Sequence, residues 1–562
     1  MFLLHAIIFS TGGAILALEL LASRIMTPYF GVSIYIWTGI LSITLIALAA
    51  GYWCGGLVTH ARRKPSIERL AHWYLVQPAW AGLAIVGACL VYPYAFHSLA
   101  SLDLVIGAFV ACMVLLFLPL LTTSAMNPLL VAIMTQASLD GSADAAASGT
   151  GTGQQAGAAQ GRQPAPLEQL DAGSGRVFFI STVGSVAGVI VTAFVLMPYV
   201  SNYNAVLAVA VLLSLLSLAG ALRPPVPVAS RNRLLAISVV ATLSSGGLLA
   251  FSENYLDRLW PARYGGVDWQ KTAEYGSLFG TVKVLAGPAG ARPEQQMRIY
   301  FQDGLVQNTL DASNRSQSFF TYGLEGLVQA FKPQAGRALV LGLGAGVVPM
   351  SLARNGTDVT AVEIDPVSFE VARRHFGFDP GRVRAIEADA RTYLRACRSE
   401  YDTVVIDLFH GDGIPEYLIT RDFFHDLRNC LKPDGVAVFN TFADLDRPTV
   451  YANFLVTLHS ELPEIVVYRP DAAGSRHVNS FVVASASTLV PPAPVRLHDA
   501  PMRHATMLRA MMERPNKLDS DTLRRGAIVT DARNSISLDI ADAQMAYRRL
   551  VIETVPRAFL LN

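Results

Sequence analysis

Four short apolar runs in the C-terminal half close on residues able to do chemistry. "LVLGLGAG" (339–346) supplies Gly342, Gly344 and Gly346, and "AVEID" (361–365) supplies Glu363 and Asp365. "AIEADA" (385–390) places Asp389 before Ala390, and "TVVID" (403–407) ends on Asp407. Glycines after a strand bring the backbone close to a ligand. An acid ending the next strand accepts hydrogen bonds from a ribose diol, and an acid ending a third strand accepts from an exocyclic adenine amine. The glycines are not followed by lysine, and GKS/T is missing, which disfavours a triphosphate. NAD suits the glycines and Glu363 equally well; the acids after strands three and four suit an adenosylmethionine-type nucleoside better. Asp407 is the candidate acid–base, the alternative being a helix N-cap.

The elements that must position these residues alternate. From 337 onward short apolar strands are separated by amphipathic helices, the pattern of a doubly wound, mostly parallel sheet whose ligands bind at the carboxyl ends of its strands. The segments "SLFGTVKVL" and "MRIYFQDGLVQ" before it read as strands and hairpins. Residues 252–332 are therefore expected to form a small β subdomain and 333–562 the nucleoside-binding domain.

Residues 1–251 are different. The chain is 52% hydrophobic and only 15% charged, and the charge deficit lies almost wholly in this half. Apolar runs near 3–22, 35–57, 74–95, 103–122, 177–199, 204–221 and 234–251 predict a bundle of six to seven membrane-spanning helices in a lipid bilayer. The seventh run holds "SSGG" and is the weakest. GxxxG pairs at Gly51/Gly55 and Gly184/Gly188 suit close helix packing. Residues 137–175, rich in Gly, Ala, Ser and Gln, are expected to be a flexible loop. Glu19 is a carboxylate inside the first run, with Arg24 nearby as a partner. Arg62, Arg63, Lys64 and Arg69, and then Arg223, Arg231 and Arg233, put the loops after spans two and six on the cytosolic side. The C-terminal half then lies outside if 234–251 crosses and inside if it does not; the chemistry of the pocket favours the cytoplasm. A net charge of +1 and the lack of a basic cluster interleaved with aromatics exclude a nucleic-acid partner. The five cysteines show no CxxC or tight spacing, so neither a disulfide framework nor a metal site is expected.

"VEIDP", "EADAR", "YDTVVID", "FFHDLRNCLKPDG", "QDGLVQ" and "IVTDARN" resemble the spermidine synthases, the aminopropyltransferases. "DLFHGDGIPEYLIT" and "SRIMTPYFG" are similar to motifs of the bacterial form fused to a multi-span membrane segment. The resemblance implies a multi-pass α-helical membrane bundle in the bacterial inner membrane, followed by an α/β Rossmann-like domain of the adenosylmethionine-dependent transferase type. It implies S-adenosylmethionine or its decarboxylated form as co-substrate, displacement of the alkyl chain from the sulfonium, and release of methylthioadenosine. Gly342, Gly344 and Gly346 would shape the pocket, Glu363 would hold the ribose, Asp365 would join the cofactor-binding residues, and Asp389 with Ala390 would contact adenine. Gln307 would lie beside the nucleoside, Asp407 would be the acid–base, and Gln302, Tyr322, His410 and Asp412 would face the small-molecule amine or sulfonium substrate. A homodimer is left open.

Several positions depart from the family. Soluble members carry Asp in the glycine loop to receive the aminopropyl amine, and here that position is Ala345. Their Tyr-x-Glu becomes Tyr322 followed by Leu324, with Glu325 displaced by one, and His410 replaces a repeated Asp. Burying an ammonium without carboxylate partners is unfavourable, so neither putrescine nor the decarboxylated donor follows from the resemblance. Transfer to an amine and intramolecular cyclisation or cleavage both stay open, beside an S-adenosylmethionine-dependent methyltransferase and a transporter or sensor regulated by the nucleoside domain.

Overall fold

A computed structural model describes residues 2–32, 34–60, 65–148, 167–408, 414–444, 448–470, 477–518 and 520–561. Arg62, Arg63, Lys64, His410 and Asp412 fall outside the described residues. The chain forms two compact units, one of Met1–Met26 and Tyr35–Arg258, the other of Thr27–Ile34 and Leu259–Leu561. The division lies near the expected boundary at 251, except that "TPYFGVSI" belongs with the C-terminal unit.

Among the described residues seven helices are long and apolar enough to cross a membrane: Phe2–Phe30, Ile36–Thr59, Ile67–Ser101, Leu104–Ala137, Ser174–Tyr199, Asn202–Leu222 and Arg231–Ala250. Both GxxxG pairs sit where helices nearly touch. A Cβ on Gly188 would collide with the backbone of Gly13, and one on Gly55 would meet the carbonyl of Ala125 at 2.5 Å. One expectation is corrected. Much of 137–175 is not a loop, because helix continues to Ser148 and resumes at Leu167. Alanine is the best helix former, and "ADAAAS" overrides the Gly and Ser around it.

The second unit holds two sheets. Strands β1 (Ala262–Tyr264), β2 (Val267–Ser277), β3 (Gly280–Gly287), β4 (Met297–Gln302) and β5 (Leu305–Leu310) form an antiparallel meander in sequence order. The larger sheet contains β6 (Arg337–Leu341), β7 (Asp358–Glu363), β8 (Arg384–Glu387), β9 (Tyr401–Ile406), β10 (Leu431–Asp444), β11 (Glu464–Tyr468), β12 (His477–Ser485) and β13 (Asn516–Lys517). Its order is β13-β11-β12-β10-β9-β6-β7-β8. The five strands from β8 to β10 are parallel, and β12, β11 and β13 add antiparallel. The chain leaves β6 for β7 on one side and returns to β9 on the other, so the crevice opens at this reversal.

The parallel strands read as apolar runs because both faces are covered. Leu339 and Leu341 pack into the core on one face, while Ala338 and Val340 pack into the core on the other. Each strand is therefore held rigidly up to its last residue, and the acids follow where burial stops.

Candidate functional site

The carboxyl ends of β6, β7 and β9, with the loop after β8, open onto one cavity of about 740 Å³. Its lining includes Gly342, Gly344, Ala345, Glu363, Asp365, Asp389, Ala390 and Asp407, together with Gln302 and Gln307 from the meander. The sequence-predicted nucleoside residues are thus brought together, apart from Gly346, which starts the helix Val347–Arg354 and packs against Phe378. Gly342 has φ +92°, and a Cβ there would collide with the carbonyl oxygen of Asp407. That crowding is the contact between β6 and β9: Asp407 N–H donates to the Leu341 carbonyl at 2.9 Å. Gly344, at φ +52°, has open space where a side chain would stand, leaving its backbone free to meet a ligand.

Glu363 is anchored at both oxygens. Oε2 accepts from the N–H of Leu343 in the glycine loop and Oε1 from that of Asp365, each at 3.0 Å. Burial raises its pKa, and these hydrogen bonds oppose the rise. Each oxygen keeps a second lone pair for a ribose hydroxyl. Asp365 is a cap and a strut: it accepts from Val367 N–H, starting the helix Pro366–His375, and from Ser277 Oγ of β2 at 2.8 Å. Asp389 caps the helix Ala390–Ala396 through Thr392 N–H at 2.8 Å, while Tyr417 donates to its other oxygen at 3.4 Å.

Asp407 caps none of the described helices. It lies in the cavity wall just beyond β9, and Asn440 Nδ2 of β10 donates to its Oδ1 at 2.9 Å. Enclosure by protein pushes its pKa up to about 6, against the Asn440 hydrogen bond, which favours the anion. Asn479 Nδ2 of β12 donates in turn to Asn440 Oδ1 at 3.2 Å. This second bond occupies the amide oxygen of Asn440 and so turns its NH₂ toward Asp407. Asn440 follows the last parallel pair of β10 with β9, Phe439 with Ile406, which sets it beside Asp407 inside β10. Asn479 gets there only through the β10–β12 register, in which Asn440 opposes Phe481.

Beyond Asp407 the lining changes character. Phe319, Phe320, Phe442, Met507 and Tyr547 supply apolar surface, and Asn440 and Asn479 supply amides. Tyr322 is corrected from the expected substrate group: it is buried, donates to the Ser316 carbonyl at 2.9 Å, and stacks on His504. It sits on the inner face of the amphipathic helix Phe319–Phe331, so the core rather than the cavity receives it. Leu324 is fully buried, and Glu325 accepts from Gln329 and Asn355, so neither lines the cavity. Among the described lining residues the charged side chains are Glu363, Asp365, Asp389 and Asp407, with no Lys, Arg or His.

Two further findings concern the frame. Asp531 of "IVTDARN" pairs with buried Arg391 and accepts from Thr420 Oγ1 at 2.8 Å, tying the helix behind Asp389 to the helix Arg421–Cys430. Cys397 and Cys430 form a disulfide, which corrects the expectation drawn from spacing. Cys397 follows the helix Ala390–Ala396 and Cys430 ends the neighbouring helix Arg421–Cys430, a proximity that a separation of 33 conceals.

Residues 320–462 match the spermine/spermidine synthase domain family. A polyamine aminopropyltransferase of Vibrio vulnificus is 34% identical over 161 residues, 27% of this chain and 53% of that protein. An N-terminal histidine N-methyltransferase of Emericella nidulans is 36% identical over 143 residues, 24% of this chain and 25% of that one. A probable spermidine synthase structure from Corynebacterium glutamicum aligns over 45% of this chain and 92% of its own, at 18% identity and a TM-score of 0.36. The chain spans about half the length of the aminopropyltransferase it matches. Its C-terminal region carries a spermine/spermidine synthase domain.

Proposed function

We propose that this spermine/spermidine synthase domain displaces the alkyl chain of a sulfonium nucleoside and releases methylthioadenosine, and that the seven apolar helices hold it in a membrane. The observation that carries the reading is Asp407. It shares one cavity with the ribose acid Glu363 and the adenine-side acid Asp389, and an amide holds it in place although it caps none of the described helices. The sulfonium is already a good leaving group, so the protein has to align the nucleophile, take its proton and balance the cation. Asp407 can do all three: a nucleophile attacks the carbon beside sulfur, the C–S bond breaks, and the proton passes to a free lone pair of the carboxylate.

The cavity field suits a cationic donor. S-adenosylmethionine brings a carboxylate for which the described lining offers no basic side chain, whereas the decarboxylated form adds only positive charge. The decarboxylated donor is therefore the favoured co-substrate. Transfer to an amine and intramolecular closure of the chain use the same carboxylate. The likeness to a histidine N-methyltransferase favours methyl transfer as the second reading. Purified full-length protein incubated with either sulfonium, with and without polyamines, separates them by mass spectrometry. Methylthioadenosine marks alkyl displacement, and adenosylhomocysteine marks methyl transfer. Release of neither nucleoside would overturn the enzymatic reading.

A further inference from the structure

The helix Arg231–Ala250 decides on which side of the bilayer the nucleoside site lies. Its 20 residues, at about 1.5 Å each, give about the 30 Å that a membrane core requires. Two of its serines, Ser238 and the Ser245 of "SSGG", are satisfied inside the bundle. Ser238 donates to the Leu234 carbonyl at 2.8 Å and lies 2.8 Å from Ser217 Oγ. Ser245 donates to the Ala241 carbonyl at 2.8 Å and meets Ser214 Oγ at 3.4 Å. The helix also runs unbroken through Gly246 and Gly247. Polar groups bonded this way do not prevent a helix from crossing. The charges at its ends agree: Arg223 precedes it and Arg231 and Arg233 lie in its first turn, whereas Glu253, Asp257 and Arg258 follow it. The positive-inside rule places the arginine-rich end in the cytosol and the other end outside.

An independent observation comes from the C-terminal unit. Cys397 and Cys430 are disulfide-bonded and buried, whereas the free cysteines Cys54, Cys89 and Cys112 all belong to the helical unit. The loop closed by this bond contains β9 and Asp407. Disulfides form and persist in oxidising compartments and are rare in a reducing cytosol.

We infer that the C-terminal unit works on the extracytoplasmic, oxidising face of the membrane, with a Cys397–Cys430 disulfide closing the loop that bears Asp407. This rests on the reading of the apolar helices as spans and reverses the sequence-based expectation of a cytoplasmic domain. Donor and nucleophile are then drawn from the extracytoplasmic pool, so a transport step precedes catalysis for any substrate formed in the cytosol.

The test uses the full-length chain in bacterial cells. Protease is added to intact spheroplasts, and a second sample is acid-quenched, alkylated and mapped by mass spectrometry. The expected result is loss of the C-terminal unit without lysis, together with a linked peptide pair of Cys397 and Cys430 that Cys430→Ala removes. Protection of the unit until lysis would overturn the inference, as would alkylation of both thiols in quenched cells. Release of the chain from membranes by alkaline carbonate would overturn it too, by removing the spans. Nucleoside turnover by purified protein does not depend on sidedness, so its failure would remove the proposed activity and leave this topology standing.

Discussion

Replacing Asp407 with Asn separates a catalytic carboxylate from a structural one, because the two roles move stability in opposite directions. D407N keeps the shape and an acceptor oxygen for Asn440 while removing the proton-accepting charge. Loss of a general base costs about 10²–10⁴ in rate, so methylthioadenosine release should fall at least a hundredfold. Stability should rise. The carboxyl has its ordinary pKa of 3.8 when unfolded and about 6 in the folded chain. Below 3.8 both states are protonated and the charge costs nothing. Between the two values the unfolded chain alone has released its proton, so folding weakens as pH rises, and above 6 the full cost is present. At about 1.4 kcal/mol per tenfold, that cost is at most roughly 3 kcal/mol, less where cavity water screens the carboxylate. D407N should therefore melt higher than wild type at pH 8 and equally near pH 3.5, by calorimetry on detergent-solubilised protein. In wild type, kcat/KM should drop about tenfold per unit below pH 6. A D407N protein that turns over normally, or that is inactive and destabilised at pH 8, would refute the assignment.

Other positions give sharper contrasts. Asn440→Ala removes the hydrogen bond that favours the Asp407 anion, so the acidic limb of the pH–rate profile should move above 6; Asn479→Ala should move it the same way by less. Glu363→Gln sets an amide NH₂ against a backbone N–H, and the affinity for methylthioadenosine should fall about 10–100-fold by titration calorimetry, at roughly 1.5–3 kcal/mol for a charged hydrogen bond. Tyr322→Phe should cost about 1 kcal/mol of stability and leave KM unchanged, whereas a raised KM would return Tyr322 to the substrate.

What the sequence made legible follows from how the sheet is buried. Strands covered on both faces are written as unbroken apolar runs, so β6, β7 and β9 could be delimited and their terminal acids placed on one edge. Roles fixed by local chain geometry could not be read so easily. Asp365 and Asp389 cap helices as well as face the cavity, and only the backbone path of the next two or three residues shows it. Pairings between distant segments left no local trace. Asn479 depends on an antiparallel register, and the disulfide depends on which helices are neighbours. Tyr322 lies away from the cavity because helical periodicity puts its side chain on the buried face, which a family motif does not encode.

The substitution at Ala345 can be settled by charge. The aspartate that the resemblance implies at this position would hold the donor's amine, and alanine in its place argues by itself against a decarboxylated donor. The described lining nonetheless keeps four carboxylates, and no basic side chain balances them. Intact adenosylmethionine has a carboxylate that would be buried without a charged partner, at a cost no smaller than that of an unpaired neutral polar group, about 1–3 kcal/mol. The decarboxylated form should therefore bind about ten- to a hundredfold more tightly in competition calorimetry, even with alanine in the loop. Ala345→Asp, facing the same cavity, should widen that ratio by strengthening the decarboxylated donor alone. Equal affinities in the wild-type chain, or tighter binding of the intact form, would show that the backbone of the glycine loop, and not the acids, sets the donor.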